Sequence, residues 1–130
     1  MEIKKKNWSF LTELNFKRSG AASVEVDDKL FVTGGLNNRI RGDMKSTEFI
    51  SLEGDVSVGP DLPSPRSGHC MIKLPSGKMI ILGGDSIEDG KSAIVFDIKT
   101  KRFQDLPSLK FGRVNFGCAV FNSALHNYRQ

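Results

Sequence analysis

The tripeptide Arg18-Ser19-Gly20 returns unchanged as Arg66-Ser67-Gly68, 48 residues further on, and it heads a longer match. Ala22-Ser23-Val24-Glu25-Val26 aligns with Cys70-Met71-Ile72-Lys73-Leu74 at the same offset. One residue is then added, Pro75-Ser76-Gly77 standing against Asp27-Asp28. Beyond it, Lys29-Leu-Phe-Val-Thr-Gly34-Gly35 matches Lys78-Met-Ile-Ile-Leu-Gly83-Gly84. Lys45-Ser46 then matches Lys91-Ser92, Phe49-Ile50 matches Val95-Phe96, and Asp61-Leu62-Pro63 matches Asp105-Leu106-Pro107. The offset drifts from 49 to 44, so length changes fall between apolar segments, where surface loops accept them. Such a repeat constrains the fold more than any local propensity. Each unit is one supersecondary structure that buries its apolar face only against a neighbour.

Each copy reads as four short strands. Its Val-, Ile- and Phe-rich segments are bounded by Gly, Pro, Asp and Ser, with no helical periodicity. Asp27-Asp28 and Pro75-Ser76-Gly77 supply tight-turn chemistry between the first two strands. Four antiparallel strands at this period describe a propeller blade. A third copy begins where Gly117-Cys118-Ala119-Val120-Phe121 aligns with the segment from His69, Arg113 being displaced by one residue from the Arg66 position. A partial copy comes first: Leu14 to Arg18 matches Leu62 to Arg66, which puts Trp8–Leu14 in a final-strand slot with Trp8 as a buried strand aromatic. The reading is therefore a fourth-strand segment at 1–17, repeats at 18–63 and 64–109, and at 110–130 the start of a third repeat with a divergent tail.

An arginine ahead of a small-residue segment, an apolar strand ending in Gly-Gly, a further apolar strand, then an aromatic before Leu-Pro: this order resembles the kelch repeat. The resemblance runs from about Trp8 to Phe121. Its motif residues here are Arg18, Arg66 and Arg113 with the diglycines Gly34-Gly35 and Gly83-Gly84. The family often has Tyr near the end of the third strand and Trp in the fourth. Phe96 and Phe103 take those slots in the second copy, and Ile50 and Val58 in the first. The fold implied is all-β, with two full four-stranded kelch-type blades, partial flanking strands and an incomplete propeller. Closed propellers use four to eight blades of about 50 residues, and 130 residues hold fewer. Further blades or self-association are then expected to cover the open edges.

The chemistry of the remaining residues is spare. The net charge of +4 is mild, and Lys4-Lys5-Lys6 reads as a solvated end, so neither nucleic acid nor a membrane is implied as a partner. No apolar run approaches a membrane span, and the N-terminus has no apolar segment of the secretory kind. Cys70 and Cys118 are the only cysteines. Read as equivalent positions on neighbouring blades, they sit side by side and stay unpaired, which favours a cytoplasmic setting. His69 and His126 are the only histidines, so neither a nucleophile–base pair nor a zinc ligand set is visible. No catalytic residue, metal or cofactor is expected, and His69 reads as a packing or capping residue. The arginines stand at blade junctions, where a rigid guanidinium ties loops through several acceptors.

Function is then expected in the loops. The resemblance implies that partners bind through the connections between strands, here Leu36–Met44 with Arg39, Arg41 and Asp43, and Asp85–Lys91 with Asp85, Glu88 and Asp89. The reading is a non-enzymatic module for binding protein partners, with two alternatives. One is part of a substrate adaptor of a ubiquitin ligase. The other is an extracellular adhesion or glycan-binding propeller, raised by Arg41-Gly42-Asp43 and the Asn7-Trp8-Ser9 sequon.

Overall fold

Within the two repeats, the apolar segments bounded by turn residues become strands. In the computed structural model, residues 8–39, 42–85 and 90–120 are described, and they are all-β. The first blade is built of β1 (Ala22–Val26), β2 (Lys29–Thr33), β5 (Thr47–Ser51) and β6 (Val56–Val58), adjacent in that order. A small hairpin of β3 (Leu36–Asn37) and β4 (Gly42–Asp43) stands between its second and third strands. The second blade runs β7 (Cys70–Lys73), β8 (Met79–Leu82), β9 (Ala93–Asp97) and β10 (Arg102–Asp105). All pairings are antiparallel, and the two sheets do not close into a ring. Asp27 and Asp28 both have positive φ, 48° and 62°, the geometry of the hairpin turn whose twist matches the flanking strands.

The blades pack face to face. Val24, Val26, Phe31 and Phe49 of the first meet Met71, Met79, Ile81, Ile94 and Phe96 of the second. Four phenylalanine rings form a column across this interface. Phe49 stacks on Phe31 with centroids 4.6 Å apart, Phe31 on Phe96 at 5.6 Å, and Phe96 on Phe103 at 4.6 Å. Such offset stacking adds to the burial of the rings themselves. The slot expected to hold Val58 is held by Val56, which lies opposite Ile50 as Phe103 lies opposite Phe96. Val58 is exposed. The β5–β6 turn is one residue shorter than its counterpart, which moves the register.

The repeat is carried into the backbone hydrogen bonds between copies. Gly35 N donates to Arg66 O and Gly84 N to Arg113 O, both at 2.9 Å. Gly68 N donates to Gly20 O at 2.8 Å, and Asn115 N to Gly68 O at 2.7 Å. Gly20, Gly68 and Asn115 share a left-handed backbone, with φ of 68°, 65° and 57°. The diglycines follow from this close approach. A Cβ on Gly34 would run into the Arg66 carbonyl, and one on Gly83 would lie 2.6 Å from that of Arg113.

These bonds and the placement of the chain's flanking segments correct several expectations. Asn115 is the counterpart of Gly68, so the one-residue displacement of Arg113 continues, and Gly117, not Cys118, answers to Cys70. One step along an extended chain turns a side chain to the opposite side. Cys118 therefore faces Cys70 rather than lying beside it, and the two form a disulfide with Cα atoms 6.2 Å apart, within bridging range. The cysteines are not unpaired. Trp8 is not a buried strand aromatic: it is 99% exposed, and residues 8–17 carry no strand. Residues 117–120 likewise carry no strand.

Candidate functional site

The junction between the blades is organised by the arginines. Arg18 donates from Nη1 to Gly34 O at 2.6 Å and Ser46 O at 2.9 Å, and from Nη2 to Ser46 Oγ at 2.8 Å. Its Nε donates to Glu48 Oε2 at 2.9 Å, completing a salt bridge whose side chains are 1% and 2% exposed. Asn15 N donates to the other Glu48 oxygen at 2.7 Å. Arg66 repeats the pattern one blade on, from Nη1 to Gly83 O at 3.2 Å and from Nη2 to Ser92 Oγ at 3.1 Å. Each arginine thus ties the end of its blade's second strand to the start of the third. The planar fork reaches both with one side chain. Ile94 occupies the place of Glu48 in the second blade, and it is buried.

His69 lies in the same junction, 6% exposed, with Nε2 2.8 Å from Thr33 Oγ1 of the first blade. Its pKa is lowered from 6.5 to about 4, first by burial and then by the Arg66 charge, against the opposing pull of Asp43 and Thr33. The folded protein holds His69 neutral, so the unfolded chain binds the extra proton between those values. Its contribution is complete above pH 6.5 and lost as pH falls toward 4. Urea titrations across that window should show His69→Gln losing the acid-side slope, up to about 3 kcal/mol of it. Equal slopes in the two proteins would count against the assignment.

The two loops singled out by the sequence converge here. Leu36–Met44 is the β3–β4 hairpin, anchored by Asn37, whose Nδ2 donates to Lys17 O at 2.9 Å and whose Oδ1 accepts from Arg39 N at 2.8 Å. The hairpin leaves Arg39 exposed at its turn. Asp43 is half-buried, and its Oδ1 accepts from Ser67 Oγ at 2.7 Å. On the other side, Asp85 N donates to Ser67 O at 2.8 Å, and Asp85 is exposed. Ser67, between the blades, therefore touches the connecting loop of each. Arg41, Glu88 and Asp89 lie outside the described residues. Asp43 is held by Ser67 and its second oxygen is buried, so it does not present the free carboxylate of an adhesion tripeptide.

Ser67, Asn37 and Glu48 are site residues that the sequence reading did not select. Ser67 was visible only inside the repeated Arg-Ser-Gly. Glu48 had no repeat partner to mark it. Among the described residues, no three His, Cys, Asp or Glu side chains gather as a metal site. No helix among them is long and apolar enough to cross a membrane.

No family model matches the chain. Individual proteins do. Spermatocyte protein spe-26 of Caenorhabditis elegans is 31% identical over 114 residues, covering 85% of this chain and 19% of that protein. Kelch-like protein 35 of Mus musculus is 30% identical over 126 residues, 94% of this chain and 20% of the relative. An F-box/kelch-repeat protein of Arabidopsis thaliana is 26% identical over 100 residues, 75% of this chain and 23% of the relative. The chain spans about a fifth of the length of these curated relatives. With two four-stranded blades joined by repeating junction bonds, and relatives of this kind along most of its length, the chain is related to the kelch-repeat proteins.

Proposed function

We propose that the chain is a non-enzymatic kelch-repeat module that binds a protein partner through the loops at the blade junction. The observation that carries the reading is the meeting of both loops on Ser67. It fixes the exposed Arg39 on one side and Asp85 on the other relative to a shared backbone. Arg41, Glu88 and Asp89, from the same two loops of the sequence, extend the proposed surface, and Asp43, held by Ser67, supports it. Charges of both signs on a positioned frame set the association rate and the choice of partner more than raw affinity. The buried arginines Arg18 and Arg66, the diglycines and Arg113 belong to the frame.

The test compares capture of cellular proteins by the wild-type chain and by a variant with Arg39, Arg41, Asp85 and Glu88 changed to Ala. The variant should keep the wild-type melting curve and lose at least tenfold in capture of whichever protein the wild type enriches. Undiminished capture by a folded variant would sink the loop assignment. A second reading, part of a ubiquitin-ligase substrate adaptor, is favoured by the F-box that one relative's name joins to kelch repeats. Co-purification of ligase subunits with the full-length protein tests it.

A further inference from the structure

The Cys70–Cys118 bond stands where the rest of the fold uses packing. At the junction between the two blades, the positions corresponding to Cys70 and Cys118 are Ala22 and Met71. Both belong to the apolar interface, with no covalent link. At the next junction the same two positions are cysteines joined by a disulfide.

Cys70 opens β7, in register with Leu82 and Ala93, on the same side of the sheet as Ile72 and Ile80. That side is turned away from the first blade, which packs against Met71, Met79 and Ile81. Ile72 and Ile80 are nevertheless only 8% and 3% exposed. The described chain that reaches this side is the 113–120 segment, through Cys118. Its backbone is bonded to the blade at Arg113, which donates to Gly90 O and accepts from Gly84 N, and at Asn115, which donates to Gly68 O. Among the described residues those backbone bonds end at Asn115; beyond it the half-buried Phe116 ring packs at Gly83, and the disulfide is the covalent tie.

We propose that Cys70–Cys118 is a redox-gated clamp that fastens residues 116–120 over the outer side of the second blade, and that a dithiol reductant releases them. One thiolate of the reductant attacks a protein sulfur, breaking the Cys70–Cys118 bond and forming a mixed disulfide. The reductant's second thiolate displaces that sulfur. The reductant leaves as its own disulfide, two electrons having passed to the protein, and the two cysteines take up two protons as thiols. The packing at the first junction does not respond to reductant, so only the outer side opens.

The clamp is tested on the full chain with chymotrypsin, with and without dithiothreitol, following each cut by mass spectrometry. Phe116 lies between the last backbone bond and Cys118 and reports release. Phe111, 51% exposed, is the reference cut in either state, and Phe31 and Phe96, both 0% exposed, report unfolding. Reduction should speed cleavage after Phe116 at least tenfold relative to Phe111, with Phe31 and Phe96 still protected. Cys118→Ser should show the fast rate with or without reductant. Three results overturn the proposal: complete alkylation of both cysteines in air-oxidised protein, an unchanged rate at Phe116, or cleavage rising at Phe31 and Phe96 together with Phe116. The last would make the disulfide a staple of the whole fold.

Discussion

Glu48→Ile should destabilise the protein by about 3–5 kcal/mol, the cost of leaving a buried charge without its partner. The substitution is the one the molecule itself makes in its second blade, where Ile94 occupies the equivalent buried place. It removes the acceptor for Arg18 Nε and Nη2 and for Asn15 N, and it leaves a guanidinium 1% exposed facing an alkyl chain. The double variant Arg18→Met/Glu48→Ile removes both charges. It should recover most of the loss, because a buried pair replaced by apolar groups of similar volume is often neutral. What remains should reflect Ser46 and the Gly34 carbonyl, which lose their donor, and Asn15 N, which loses its acceptor. Urea denaturation of the wild type, the two single variants and the double variant gives the coupling directly. If Glu48→Ile alone costs under about 1 kcal/mol, the pair is no more than a surface bridge in its energetics.

Phe96→Ala should be about as damaging, with an expected loss of about 3–5 kcal/mol. Phe96 is fully buried and sits inside the ring column, between Phe31 at 5.6 Å and Phe103 at 4.6 Å. Its removal opens a cavity and severs the stack at the point where one blade meets the other. Two companion variants keep the prediction informative if the alanine protein is too unstable to study. Phe96→Leu preserves most of the volume and should cost clearly less than the alanine. Phe103→Ala, at the half-buried end of the column, should also cost less because part of the ring is already in water. Equal losses for Phe96→Ala and Phe103→Ala would mean that the interface does not depend on the column.

Much of this architecture was legible in the residues. The strands fall where apolar segments alternate between turn residues. The matched Lys45-Ser46 and Lys91-Ser92 foreshadow the two serine hydroxyls that accept from Arg18 and Arg66. The arginine and diglycine landmarks were legible because each copy must present the same atoms to its neighbour. The candidate surface was legible as two polar loops, but not as one place, because Ser67 joins them through a side-chain bond on one side and a backbone bond on the other. Glu48 escaped notice for the opposite reason. Comparing copies weights positions that agree, and Glu48 stands against an isoleucine.

The sequence by itself determined the two repeated units, the strands within them and the tight turns between their first two strands. These depend on neighbours in the chain, and the repeat displays each of them twice. The tertiary structure decided how the copies lie against one another: that Val56 rather than Val58 meets Ile50, that Trp8 stays in solvent, and that Cys118 turns toward Cys70. For Trp8 and Cys118 the outcome depends on where a segment sits against parts of the chain distant in sequence, and for Val56 it depends on the length of the β5–β6 turn. For Val56 and Cys118 the difference is a shift of one residue, which reverses the side a side chain faces while leaving the local pattern of the sequence almost unchanged.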